Sequence, residues 1–148
     1  MAEENWENVT YDTTVPYIPP VTAGKVVKVY DGDTITIATR MPGSNMLYRF
    51  SVRLAGIDCP EIKSHSASEK EVAQLAKQFV SEQVMGKIVS LENVEMEKYG
   101  RLLAQVWYYH NFEHLCLNEE LCKQRLAVAY DGGTKISPDN WKEYHDKK

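Results

Sequence analysis

Lys25-Val26-Val27-Lys28-Val29-Tyr30-Asp31-Gly32-Asp33-Thr34-Ile35-Thr36-Ile37-Ala38 is the stretch on which the fold of this chain turns. Val and Ile are frequent in it, and from Thr34 onward polar and apolar residues alternate as a half-buried strand requires. Asp31-Gly32-Asp33 separates the two runs with turn chemistry, so 25–30 and 34–38 are expected to be consecutive strands. Pro42-Gly43-Ser44-Asn45 then reads as a loop. Tyr48-Arg49-Phe50-Ser51-Val52-Arg53-Leu54 alternates again, with Phe50, Val52 and Leu54 on one face and Arg49, Ser51 and Arg53 on the other. Asp58-Cys59-Pro60-Glu61 ends it, because proline cannot continue a ladder.

Ser66-Ala67-Ser68-Glu69 matches a capping box and opens a helix. Val72, Leu75, Ala76, Phe79, Val80 and Val84 follow on one helical face, and Gly86 stops it. Two further strands are expected over 88–96 and 102–109, joined by Glu97-Lys98-Tyr99-Gly100. Asn118 is expected to cap a short helix through Leu121 to Gln124, which would leave Arg125 in a left-handed conformation at its end. Ser137-Pro138 is expected to start a last helix bearing Trp141 and Tyr144. Three strands, a helix, two strands and two helices predict an α+β fold with a mainly β core: a five-stranded Greek-key barrel of the OB type with three α-helices.

At 148 residues the chain fits one domain with short tails. Residues 1–20 read as an acidic N-terminal arm closed by Pro16, Pro19 and Pro20, and 21–148 as the single domain. The first residues of the arm are expected to be mobile, and the stretch 13–18 to lie extended against the body. Hydrophobic residues make up 43% and charged residues 26%, which argues against wholesale disorder. No apolar run approaches the ~20 residues that span a bilayer. The acidic N-terminus has no apolar segment of the secretory kind, so an intracellular protein without membrane contact is expected. Cys59, Cys116 and Cys122 lack zinc-type spacing and read as reduced thiols. His114 and Cys116 read as part of a surface turn in preference to a metal pair. The formal net charge is −4, but the arm holds Glu3, Glu4, Glu7 and Asp12 and no Lys or Arg, so the body is balanced. That balance neither demands nor forbids a nucleic-acid partner.

Three clusters carry possible chemistry. Asp31-Gly32-Asp33-Thr34 by itself is ordinary hairpin chemistry, and no glutamate completes a calcium loop of the EF-hand kind. Arg53-Leu54-Ala55-Gly56-Ile57-Asp58-Cys59-Pro60-Glu61 puts a guanidinium and two carboxylates at the end of one strand, which a charged surface corner would also explain. Glu97-Lys98-Tyr99-Gly100-Arg101 by itself is a turn with a surface arginine. Together they ask for one explanation: gathered acids repel unless a cation or arginines neutralise them, and arginines recognise phosphate with two prongs. A hard divalent ion, a carboxylate that orients water and two guanidinium groups suffice to cleave a phosphodiester.

At these residues the chain resembles the staphylococcal nuclease (thermonuclease) family. The matches are Val29-x-Asp31-Gly32-Asp33-Thr34, Arg53-Leu54-x-Gly56-Ile57-Asp58-x-Pro60-Glu61, Lys98-Tyr99-Gly100-Arg101 and Leu117-Asn118-Glu119-x-Leu121, in order from about Gly24 to Tyr130. The resemblance implies a calcium-dependent nuclease acting on DNA and RNA and leaving 3′-phosphate ends, with one Ca2+ ion or another divalent ion in its place. It implies that Asp33 and Asp58 are the metal carboxylates, with the backbone carbonyl of Cys59 as a further ligand. Glu61 would activate or orient the attacking water, and Arg53 and Arg101 would hold the scissile phosphate. Lys98 and Tyr99 would contact a neighbouring phosphate and Tyr130 a base, while Asp31 and Thr34 would shape the acidic turn. Two positions depart from the pattern: Glu97 stands where the family commonly has aspartate, and Arg125 where it usually has glycine. An Arg125→Gly change is therefore expected to stabilise slightly. The expected partner is DNA and/or RNA, bound by a monomer. The rival is a non-catalytic module of the same fold that binds nucleic acid or protein. Its repeats have typically lost the carboxylates or arginines that this chain retains. A third reading is a phosphatase or nuclease of small nucleotides, in keeping with the low net charge.

Overall fold

In a computed structural model that describes residues 5–133 and 136–147, Ala23–Asp31 (β1), Thr34–Arg40 (β2) and Leu47–Leu54 (β3) form an antiparallel meander. Ile57–Asp58 (β4) is a short strand after it. Ala67–Val84 (α1) leads to Ile88–Met96 (β5) and Leu102–His110 (β6). β5 pairs with both β1 and β6, and β6 runs parallel to β3 with Val52 opposite Leu102 and Leu54 opposite Ala104. That parallel contact closes β3-β2-β1-β5-β6 into the five-stranded barrel. Its interior is Val26, Ile35, Ile37, Val52, Leu54, Leu102, Ala104 and Val106, all buried. α1 lays Val72, Ala76, Val80 and Val84 on one end of it. Leu75, at the margin of the expected stripe, is half exposed, and Ala73 is buried instead.

The remaining elements are Glu113–Cys116 (β7), Leu117–Lys123 (α2), Val128–Ala129 (β8) and Trp141–Asp146 (α3). β7 is a strand where the sequence suggested a surface turn. Asn111 and Phe112 supply it with a two-residue hairpin, both at positive φ (49° and 68°). His114 stacks on Tyr109 across that hairpin, with ring centroids 4.6 Å apart. β4 and β8 pair by two residues each.

Three terminal details differ from expectation. Asn118 does not cap α2, which begins at Leu117. Its buried side chain accepts from Val106 N (3.1 Å) and donates to Ala55 O (2.7 Å) and Ala104 O (3.2 Å). It thereby satisfies the edge of β6 between its β3-paired and β7-paired halves. α3 begins three residues after Pro138, because Asn140 accepts from Glu143 N (3.0 Å) and takes the capping role. The arm segment 13–18 is exposed along its whole length and buries no side chain on the body. Tyr17 alone of that segment, with Pro19 and Pro20 after it, borders a groove shared with Met41, Tyr48 and Phe50 of the body. The mobility expected at the start of the arm falls largely on residues 1–4, outside the described residues.

Arg125 does adopt the left-handed conformation, with φ 55°. Arg125 N bonds to Cys122 O (3.0 Å) and Leu126 N to Leu121 O (2.9 Å), the paired bonds of a helix C-terminus that normally closes on glycine. The structure also shows why an arginine stands there. Its guanidinium lies 3.9 Å from the Tyr144 ring centroid and donates to Tyr144 O, tying α2 to α3. Left-handed strain of about 1 kcal/mol is outweighed by this contact and its charged hydrogen bond, together about 2 kcal/mol or more. The expected sign reverses: Arg125→Gly lowers the thermal midpoint by a few degrees, and an unchanged or raised midpoint contradicts the account.

Candidate active site

The β1–β2 turn, the end of β3 and the β5–β6 turn meet at one mouth of the barrel because β2 pairs Thr34 with Arg53 and β3 pairs Arg53 with Leu103. Asp33 is buried there, accepting from Cys59 N at 3.2 Å and from Thr34 Oγ1 at 3.3 Å. Asp31 turns back on the same loop and accepts from Asp33 N at 3.1 Å. Arg53 Nη2 is 3.5 Å from Asp33 Oδ2 and 3.5 Å from Asp58 Oδ1, so one guanidinium bridges two carboxylates. The same guanidinium donates to Leu54 O (2.7 Å) and Ile57 O (2.9 Å), which fixes its plane.

Arg101 is held by Glu97, a contact the sequence did not disclose. Glu97 Oε1 accepts from Tyr99 N (3.1 Å), Arg101 N (3.0 Å) and Arg101 Nε (3.1 Å), and Oε2 accepts from Arg101 Nη2 (3.2 Å). Burial works to raise the Glu97 carboxyl, but the hydrogen bonds from Arg101 outweigh it and hold Glu97 below its usual range. Arg101 Nη1 lies 3.4 Å from Thr34 Oγ1, so both arginines converge on the acidic turn. Glu97 thus fixes the turn that aims Arg101. Among sequence signals, only its place four residues before an arginine could have suggested this.

Glu61 is exposed between two grooves. One, about 690 Å³, is lined by Arg53, Asp58, Glu61, Glu97, Lys98, Tyr99, Arg101 and Tyr130. The other, about 550 Å³, shares Glu61 and holds Asp31, Asp33 and Cys59. Glu61 N donates to Glu69 Oε2 (2.8 Å), and Ser64 Oγ donates to Glu69 Oε1 (3.0 Å). Only half of the expected capping box therefore forms. Ser66 Oγ accepts from Glu69 N, while the Glu69 carboxylate is spent on anchoring the Glu61 loop to α1. Tyr99 is exposed with Lys98 Nζ 5.1 Å from its ring centroid, and Tyr130 OH donates to Gly133 O at 3.0 Å. Arg53, Asp58, Lys98, Tyr99, Arg101 and Tyr130 thus lie along one groove, Asp31, Asp33 and Cys59 along the other, and Glu61 along both.

The electrostatics are those of an under-neutralised acidic pocket. Burial, reinforced by the Asp33 carboxylate, raises the Asp31 carboxyl to about 7 against the pull of Arg53. Between its ordinary value and about 7 the folded chain binds a proton that the unfolded chain does not, so this group lowers stability as pH rises through that window. Burial also pushes the Cys59 thiol well above its ordinary value, with Asp33 and Asp31 adding to the effect, so the thiol stays protonated and is no nucleophile. Among the described residues no three His, Cys, Asp or Glu side chains form a ready-made metal cage. The donor chemistry nevertheless fits one hard cation: Asp33 and Asp58 supply carboxylate oxygens, and the one guanidinium that bridges them leaves their joint charge incompletely neutralised.

The profile of the family described as Staphylococcal nuclease homologue matches residues 51–146, well over half of the chain. The chain belongs to that family. An uncharacterized endonuclease of Haemophilus influenzae is 38% identical over 106 residues, 72% of this chain and 51% of that protein. The thermonuclease of Staphylococcus hyicus is 33% identical over 107 residues, 71% of this chain and 57% of its own length. The endonuclease Htp3 of Saprolegnia parasitica is 27% identical over 117 residues, 72% of this chain and 55% of that protein. The chain spans about half the length of these relatives. The family's OB-type barrel is the one observed, and among the described residues no helix is long and apolar enough to cross a membrane.

Proposed function

We propose that the chain is a calcium-dependent nuclease that hydrolyses phosphodiester bonds of DNA and/or RNA and leaves 3′-phosphate ends. The observation that carries this is the convergence of Arg53, Arg101, Asp33, Asp58 and Glu61 on one mouth of the barrel, each arginine already oriented by a carboxylate. Asp33 and Asp58, with the Cys59 carbonyl oxygen, would hold the cation. When bound, it would supply positive charge that draws electrons from the scissile phosphate.

The protein's own groups do the rest. Arg53 and Arg101 donate to the non-bridging phosphate oxygens and meet the negative charge that grows as the fifth oxygen arrives. Glu61 accepts a hydrogen bond or the proton from the attacking water. A new P–O bond to that water forms, the bond to the 5′ oxygen breaks, and the departing oxygen takes a proton from solvent. Glu97 keeps Arg101 in its plane, and Thr34 steadies Asp33. Lys98 and Tyr99 bind a neighbouring phosphate, and Tyr130 packs on a base. The family resemblance of the relatives called endonuclease and thermonuclease supports the reading.

Two variants test it. Asp33→Ala weakens metal binding and activity together, and it abolishes most of the rise in thermal midpoint that millimolar calcium gives the wild type over chelator. A wild-type midpoint indifferent to calcium counts against the metal site. Glu61→Gln keeps the midpoint of the wild type and lowers turnover by about 10²-fold or more. Undiminished turnover removes Glu61 from the water's path.

A further inference from the structure

The groove that shares Glu61, Asp31 and Asp33 with the candidate site has a second wall that the proposed chemistry does not use. Lys28 from β1, Lys63 from the loop after Glu61 and Lys77 from α1 line it, together with the half-exposed ring of Tyr30. Three elements distant in sequence thus bring three ammonium groups to one groove of about 550 Å³ on a chain whose net charge is −4. Among the described residues none of the three lysine side chains makes an ion pair or a hydrogen bond. Nor are they needed to neutralise the acidic turn: the cation bridging Asp33 and Asp58 is Arg53, at 3.5 Å from each.

On the other side of Glu61 the larger groove carries Lys98, Tyr99, Arg101 and Tyr130. Each side of Glu61 therefore offers cations and at least one tyrosine ring. Cations at intervals with aromatic faces between them suit a chain of phosphates whose bases are unpaired, since a base must expose its face to stack. A mononucleotide would fill only one side.

We propose that Lys28, Lys63, Lys77 and Tyr30 form a second binding track for a single-stranded polynucleotide, so that the strand runs through both grooves and is cut at an internal phosphate lying over Glu61 and Arg53. This deepens the nuclease reading and rests on it for the place of the scissile phosphate. The lysines bind phosphates on the side away from Lys98, and Tyr30 offers its ring to a base. The track recognises backbone charge, so DNA and RNA strands both fit it.

The test compares wild type with the triple variant Lys28→Gln, Lys63→Gln, Lys77→Gln. Binding of labelled single-stranded DNA and RNA 16-mers is followed by fluorescence anisotropy in chelator across a salt series. Removing three ammonium–phosphate pairs from a single strand lowers the slope of log Kd against log salt by about 2. The triple variant should show that fall with both strands, while a dinucleotide-sized substrate in calcium is cleaved at the wild-type rate. An unchanged slope overturns the track, as does polyglutamate competing as well as an oligonucleotide of equal charge. Acetylation footprinting of wild type gives a reading that does not depend on the variant's fold. The bound 16-mer should shield Lys28, Lys63 and Lys77, and equal modification with and without it overturns the proposal. Wild type that cuts nothing, with the slope difference present, sinks the nuclease reading and leaves the track. Cleavage by wild type with slope and footprint unchanged does the reverse.

Discussion

Arg101→Gly should lose about 10²–10³-fold in turnover while keeping its calcium affinity and fold. Arg101 is one-third exposed and its ion pair with Glu97 is partly solvated, so the pair contributes at most about 1 kcal/mol to stability. Its task in the proposed mechanism is to meet charge that exists only in the transition state, so kcat falls with little change in KM. Arg101→Lys should rescue little, because an ammonium lacks the planar fork that Glu97 now holds through two of its nitrogens. Turnover and calcium affinity that fall in proportion would instead place Arg101 in the support of the metal site. Steady-state kinetics beside a calcium titration separate the two.

Arg53→Ala should cost both activity and fold. Its side chain is 13% exposed, and the two carboxylates it bridges are 12% and 13% exposed. Removing one partner of such a buried cluster leaves uncompensated charge and typically costs about 3–5 kcal/mol. Two backbone carbonyls, of Leu54 and Ile57, lose a donor at the same time. Denaturant melts should therefore show a large loss in chelator, and calcium should recover part of it by supplying positive charge to the same carboxylates. A melt like that of Arg101→Gly would mean that Arg53 serves the substrate alone.

The difference between these two arginines was hidden in the sequence, where each is a basic residue beside a turn. The barrel itself was legible, because period-two alternation in Thr34–Ala38 and Tyr48–Leu54 and the apolar stripe of α1 are local patterns. The convergence of the acidic turn with Asp58, Glu61 and Arg101 was legible through motif order. What stayed hidden depends on partners far along the chain. Asn118 spans from Ala55 to Val106, and Glu69 reaches back to Glu61 when local chemistry would have it close its own helix. β7 was hidden because Asn111 and Phe112, which make its turn, are not the usual glycine pair. The arm misled for the opposite reason. Tyr11, Val15 and Tyr17 are apolar enough to suggest packing, yet all three are largely exposed.

The most direct test of the central claim is digestion of end-labelled single-stranded DNA and RNA by the wild-type chain, in millimolar calcium and in chelator, at mildly alkaline pH. The account predicts progressive shortening of at least one strand in calcium, 3′-phosphate ends on the products and no cleavage in chelator. Both strands remaining intact in calcium would contradict it and leave a module that binds without cutting.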